Sequence, residues 1–193
     1  MLYSLKNNIQ DIIRACINKE SKAEYALYRY CFDLLIPICM RYSIQEEDAV
    51  ELLNLGFCKI LFSIEKYNGP EFNPWAKTIM VNTIIDEFRK RQKEKQLFSE
   101  KDIEDLSQQQ IPFNLNEAED KIQKEELIKL INNLPEIQKL VLNLHVFEGL
   151  SHKEIAEQLS LNESSSRWHL MNARNELKKK IKFLFGQVKM MLI

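Results

Sequence analysis

Four glycines and five prolines are all that this 193-residue chain offers for sharp turns. A fold of many short strands asks for more, because each hairpin needs residues that accept positive φ or fix φ near −65°. Long uninterrupted stretches, with 45% of the residues apolar, point instead to helices. The expected fold is all-α: two small helical domains joined by an acidic linker, the second containing a helix-turn-helix.

The spacing of apolar residues places the helices. A short one is expected near Ile9 to Ile17. From Lys22 to Arg41 the series Ala26, Tyr30, Leu34 and Ile38 repeats every four residues and marks one helical face. Pro37 lies inside this run and is expected to kink it or loosen a turn. Glu46 and Glu47 suit the positive end of a second helix, which runs on through Leu52, Leu53, Phe57, Ile60 and Leu61. The breaker cluster Tyr67-Asn68-Gly69-Pro70-Glu71-Phe72-Asn73-Pro74 must be a loop. Pro74, near the first helical position where a missing N–H is harmless, restarts a helix that continues to about Lys95. Residues 1–95 make the first domain.

Residues 96–116, broken by Pro112, lose periodicity and read as a linker. Residues 117–193 make the second domain. There Ile122, Leu127, Leu130, Ile131 and Leu134 face inward, and Pro135 starts a helix with Leu140, Val141, Leu144 and Phe147 on its apolar side and Gly149 at its end. Ser151-His152-Lys153-Glu154 is a capping box for a short helix that turns Ile155, Ala156 and Leu159 inward. Asn162 can cap a last helix with Leu170, Ala173, Leu177 and Ile181 inward.

A net charge of −1 conceals an uneven distribution. Arg89, Lys90, Arg91, Lys93 and Lys95 are opposed locally only by Glu94, and Arg167 to Lys182 holds six cations against Glu176. Glu100 to Glu126 carries nine acids and three lysines. Two basic helix ends around an acidic connector suit two DNA-facing modules, although solvated helix faces would also account for them. Cys16, Cys31, Cys39 and Cys58 form no CxxC pair and sit in apolar helical patterns, so buried reduced thiols are expected, with no disulfide and no metal. The chain shows neither an apolar run of about 20 residues nor a signal-peptide core. A cytoplasmic protein without membrane insertion is expected.

A short capped helix, a three- to four-residue turn and a longer helix with a basic outer face make a helix-turn-helix, in which small Ala156 allows a close crossing. On the last helix Ser164, Ser165, Arg167, Trp168, Met171 and Asn172 lie off the inward stripe. Arginine reads guanine bidentately, asparagine reads adenine, and apolar atoms meet a thymine methyl. A charged surface helix with Trp168 packed on a neighbour would show the same pattern. In the first half Phe72, Trp75, Thr78, Asn82, Asp86 and Arg89 follow the breaker loop. Aromatic rings beside amides and arginines suit unstacked bases, and a core role for Phe72 and Trp75 is the competing reading.

The two halves resemble one known family. Leu27-Tyr28-Arg29-Tyr30 with Ile38-Cys39-Met40-Arg41-Tyr42 looks like the first conserved helix of sigma-70-type factors, and Asp48-Ala49 with Gly56-Phe57-Cys58-Lys59-Ile60 looks like the second. Phe72 to Thr83 with Asp86 and Arg89-Lys90-Arg91 is similar to the promoter-melting, −10-reading segment. Leu134-Pro135 with Asn143 to Ala156 is similar to the −35-reading domain. No large central domain separates them, as in the extracytoplasmic-function class, and the style is closest to the group found in Bacteroidetes.

The resemblance implies a non-enzymatic sigma factor, with no cofactor and no small-molecule substrate, whose partners are core RNA polymerase, promoter DNA and an anti-sigma factor. It implies polymerase contacts at Asp48, Glu51, Leu52, Leu55 and Lys59. At the −10 element it implies base capture by the Tyr67 to Asn73 loop, including Tyr67 and Asn68, with Asn82 and Asp86 nearby and Arg91 beside Arg89. At the −35 element it adds Ser151, Lys153 and Arg174 to the recognition helix. The chain departs from the family pattern at four places. Asn54-Leu55 stands where an acidic or glutamine pair is common, Ser160 where glycine is usual, Ser164-Ser165 where glycine-threonine is common, and Trp168 where a small polar residue is usual. Two other readings fit parts of the pattern: a helix-turn-helix regulator not bound to polymerase, and a degenerate sigma acting as an interaction module.

Overall fold

The computed structural model describes residues 9–20, 22–98 and 124–191, and every regular element among them is helical. The backbone divides into two compact units, residues 1–88 and 89–193. The division falls inside a helix, seven residues before the expected domain end at 95. That helix continues to Phe98, into the stretch read as linker. The remainder of the expected linker, and Ile122, lie outside the described residues.

In the first unit α1 (Ile9–Ile17), α2 (Ala23–Cys39), α3 (Glu46–Ser63) and the first part of α4 (Phe72–Phe98) follow one another, with a 3-10 turn at Ile64–Lys66. Leu27, Cys31 and Leu35 of α2, Leu53 and Ile60 of α3, and Ala76 and Met80 of α4 are fully buried. This i, i+4 repetition sets three stripes around one core. Gly56 lets α4 come close: a Cβ there would lie 2.6 Å from the Met80 sulfur. Met80 in turn receives the Cys39 thiol at 3.6 Å. Burial pushes the Cys31 and Cys39 thiols up to about 12, which keeps them protonated. Cys58 departs from the expected set of buried thiols, because its position on α3 faces outward and is exposed. Helix α2 runs through Pro37 without interruption. Pro37 has no N–H for the Asp33 carbonyl, but both residues are exposed, so water can take the missing donor's place.

The second unit contains α5 (Lys124–Asn132), α6 (Glu136–Val146), α7 (His152–Leu159) and α8 (Glu163–Met191). Leu140, Val141 and Leu144 of α6, Ile155 and Leu159 of α7, and Leu170 and Ala173 of α8 form its core. Phe147 does not join them. It is the C-cap of α6, its N–H still bonded to the Asn143 carbonyl, and is 48% exposed. Gly149 turns the chain at φ +74°, beyond the helix end.

The capping box forms as the spacing predicts. The Ser151 N–H donates to Glu154 Oε2 at 2.8 Å and the Glu154 N–H donates to Ser151 Oγ at 3.2 Å. The Ser151 hydroxyl, donating to Glu154 Oε2 at 2.6 Å, and then the Ser151 N–H hold the Glu154 carboxyl below its usual range. Helix α7 ends in a left-handed residue, Ser160 at φ 55°, with the Leu161 N–H reaching back to the Ala156 carbonyl at 2.9 Å. That bond and the left-handed residue define a Schellman end, which favours glycine. Ser160→Gly is therefore expected to stabilise the second unit by about 0.5–1 kcal/mol. An unchanged urea midpoint would show that the serine is not strained.

Candidate nucleic-acid interfaces

Helix α4 begins at Phe72, so Pro74 occupies the third helical position, still within the first turn where its missing N–H is harmless. This early start rotates Phe72 into the core, where it is 2% exposed. It meets Tyr30, Tyr67 and Trp75 at ring-centroid distances of 6.0, 5.7 and 5.5 Å. Phe72 therefore supports the surface from beneath and presents no open face to a base. Tyr67 and Trp75, at 4.9 Å, are only partly buried. With Lys66, Asn68, Gly69, Pro70, Glu71 and Pro74 they line an open cleft of about 370 Å³. The buried Tyr67 hydroxyl has no hydrogen-bond partner.

From Trp75 the residues Thr78, Asn82, Asp86 and Arg89 follow at intervals of three and four, one face of α4. Thr78, Asn82 and Asp86 are exposed, Arg89 partly so, and Arg91 is exposed in the next turn. Thr78 Oγ donates to the Pro74 carbonyl at 2.9 Å, which leaves its oxygen free to accept. Asp86 is engaged by Lys59 of α3, whose Nζ lies 2.8 Å from Oδ2. The sequence assigned these two residues to different surfaces, and the fold brings them together.

On α3, Asp48, Glu51, Leu55 and Lys59 form an exposed stripe. Leu52 does not belong to it: at 7% exposure it points into the core and offers no side chain to a partner. Phe62, 86% exposed, continues the stripe one turn further. The 48, 51, 55, 59, 62 spacing could have found it, since a phenylalanine on a charged face departs from an inward pattern. The unusual Asn54 has an internal use, accepting the Tyr28 hydroxyl at 3.0 Å.

In the second unit the recognition helix is pinned at its start. Asn162 Oδ1 accepts from the Ser165 N–H at 2.7 Å and from Ser164 Oγ at 2.6 Å. Trp168 is 54% and Met171 52% exposed, so Trp168 is not packed away on a neighbour. Arg167 and Arg174 are exposed, Ser165 and Asn172 partly so, and Ser151 and Lys153 are exposed on the preceding segment. Arg167 pairs with Glu163, a residue that no sequence motif singles out.

Beneath this surface His145 and His152 stack, with ring centroids 4.5 Å apart and planes 15° from parallel. His145 Nδ1 lies 2.9 Å from the Leu150 carbonyl, which can only accept, so Nδ1 carries the proton. His152 Nδ1 lies 3.0 Å from Ser166 Oγ, which is fully buried. Burial, followed by neighbouring His145 and Arg167, lowers the His152 pKa. Burial alone lowers that of His169. A histidine kept neutral in the fold takes up its proton on unfolding. Stability is thus full above the unfolded value of about 6.5 and is lost as the pH falls through the lowered folded values. The urea midpoint of the second unit is expected to fall on acidification from about pH 7.5 to 5.5, less so in His152→Gln. An equal fall in both proteins would remove His152 from this explanation.

Residues 27–94 match the family model for Sigma-70 region 2, and residues 124–177 that for Sigma-70, region 4. The chain belongs to the sigma-70 family. Together the two matches cover well over half of it. Among curated proteins the chain is 28% identical to RNA polymerase sigma factor SigV of Bacillus subtilis over 137 residues, 70% of this chain and 77% of that one. It is 28% identical to the ECF RNA polymerase sigma factor SigM of the same organism over 130 residues, 67% of this chain and 77% of that one. A solved structure of the sigma factor RpoE in complex with the anti-sigma factor NepR from Bartonella quintana is 20% identical, with a TM-score of 0.49, covering 83% of this chain and 98% of that one. This sigma factor directs RNA polymerase to promoters and initiates transcription there. Only residues 95–123 separate its two matched segments, too few for a further domain of ordinary size. The layout is that of the extracytoplasmic-function class.

Among the described residues no helix is long and apolar enough to cross a membrane, and no group of three or more His, Cys, Asp or Glu could hold a metal ion.

Proposed function

We propose that the sigma factor divides its promoter contacts between two domains, residues 1–95 taking the −10 element and residues 117–193 the −35 element, with residues 96–116 between them. The cleft beside Tyr67 and Trp75 carries this reading: about 370 Å³ of open space between aromatic walls suits one base flipped from the −10 element. Asn68, Thr78 and Asn82 lie along the path of the melted strand, and Arg89 and Arg91 hold its phosphates. Asp86, bound to Lys59, helps to set α4 against α3.

In the second unit Arg167, Trp168, Met171 and Asn172 read bases in the duplex, while Ser151, Lys153, Ser164, Ser165 and Arg174 meet the backbone. Asp48, Glu51, Leu55 and Lys59, joined by Phe62, form the face that docks on core polymerase. The same apolar edge, Leu55 and Phe62, is the surface an anti-sigma factor covers when it holds the protein inactive. The protein works without catalysis of its own, with no cofactor, in the cytoplasm where polymerase acts. Its motifs are closest in style to the group found in Bacteroidetes.

Asn82→Ala tests the division of labour. It is expected to reduce permanganate reactivity of the −10 region while leaving affinity for the −35 duplex unchanged. Equal losses in both would refute it.

A further inference from the structure

Glu163 is the first residue of α8, and its carboxylate accepts from Nη2 of Arg167 one turn further on. Both side chains are well exposed, at 46% and 63%, and an exposed pair four residues apart adds little to the fold. The position also works against DNA binding, because a carboxylate at the start of a groove-reading helix approaches the phosphates. The first-turn position of Glu163 suits the helix dipole, but its pairing with Arg167 adds little to the fold and its charge repels the ligand, so the pairing itself has another use.

We infer that Glu163 is a specificity-determining positioning residue: it holds the Arg167 guanidinium on the base-reading face and away from the phosphates, raising sequence discrimination at the expense of general DNA affinity. This rests on the assignment of Arg167 to base reading. The guanidinium has five N–H donors in one plane. Glu163 takes one on Nη2, which leaves the other Nη2 hydrogen and both on Nη1 for a guanine O6 and N7. The tether is itself fixed. Asn162 caps the same turn through the Ser165 N–H at 2.7 Å, and buried Ser166 is held against His152 at 3.0 Å. Arg167 thus surrenders rotamer freedom before DNA arrives, which lowers the ordering cost of binding the correct base. The carboxylate meanwhile disfavours phosphate-only engagement, so wrong sequences lose more than right ones.

The test uses the full chain, a duplex selected by the wild type from a randomised −35 pool, its single-base-pair variants, and a random-sequence duplex, with binding followed by fluorescence anisotropy at several salt concentrations. Glu163→Ala is expected to bind the random duplex several-fold more tightly, with a salt slope steeper by about 1. Its preference at the base pair read by Arg167 is expected to fall by up to the roughly 5- to 150-fold that one bidentate contact supplies. In an Arg167→Ala background the same substitution is expected to leave that preference unchanged, because the effect passes through Arg167. Preference retained in Glu163→Ala, or lost further in the Arg167→Ala background, overturns the inference. If Arg167→Ala alone keeps full preference at every base pair, the base-reading assignment itself has failed, and the role of Glu163 with it.

Discussion

Phe72→Ala is expected to lower the unfolding free energy of the first unit by about 3–5 kcal/mol, the range for removing a fully buried phenylalanine. The ring is 2% exposed and touches Tyr30, Tyr67 and Trp75 together. Its loss leaves a cavity where α2, the loop and α4 meet. The Tyr30 hydroxyl, donating to Asn73 Oδ1 at 2.7 Å, ties α2 to the same turn of α4, so the cavity cannot close by a simple shift of one helix. Against a typical total of about 5–15 kcal/mol, such a loss removes a large share of the stability. Urea unfolding followed by Trp75 fluorescence, in a Trp168→Phe background, reads this unit separately. A loss below about 1 kcal/mol would show that the ring is not the centre of this packing.

Trp75→Ala is expected to act differently, although the two aromatics are only three residues apart. Trp75 is partly exposed and forms a wall of the cleft. Its removal deletes the surface on which a flipped base stacks, worth about 1–3 kcal/mol, or roughly 5- to 150-fold in the stability of the open complex. Permanganate reactivity of the −10 region should fall by that factor while affinity for the −35 duplex is kept, and Trp75→Phe should restore most of it. If opening is unaffected, the cleft does not hold a base. If stability collapses as in Phe72→Ala, Trp75 belongs to the core instead.

The contrast between these neighbours shows where a sequence stops being informative. Features set by residues close in the chain were legible: α1 at Ile9–Ile17, the Ser151–Glu154 capping box, the Asn162 cap and the loop before α4. Each depends on propensities and short spacings. Phe72 was not legible, because its direction depends on whether α4 starts at residue 72 or at Pro74, and two residues of helix turn a side chain by about 200°. Leu52 failed for a related reason: an apolar residue beside a charged stripe belongs to whichever face the packing angle buries. The Lys59–Asp86 pair and the His145–His152 stack join separate helices, so no local pattern announces them. Ser160 was visible as a departure from the family, and its left-handed backbone explains why glycine is usual there.

The most direct test is transcription in vitro with purified protein, sigma-free core polymerase from a related bacterium, and a library of candidate promoters. Initiation from a subset of promoters that share a −35 and a −10 element is the expected result, with Trp75→Ala and Arg167→Ala each impairing it by a different step. Core binding without initiation from any promoter would contradict promoter direction and favour an interaction module. No binding to core would leave only a helix-turn-helix that regulates without polymerase.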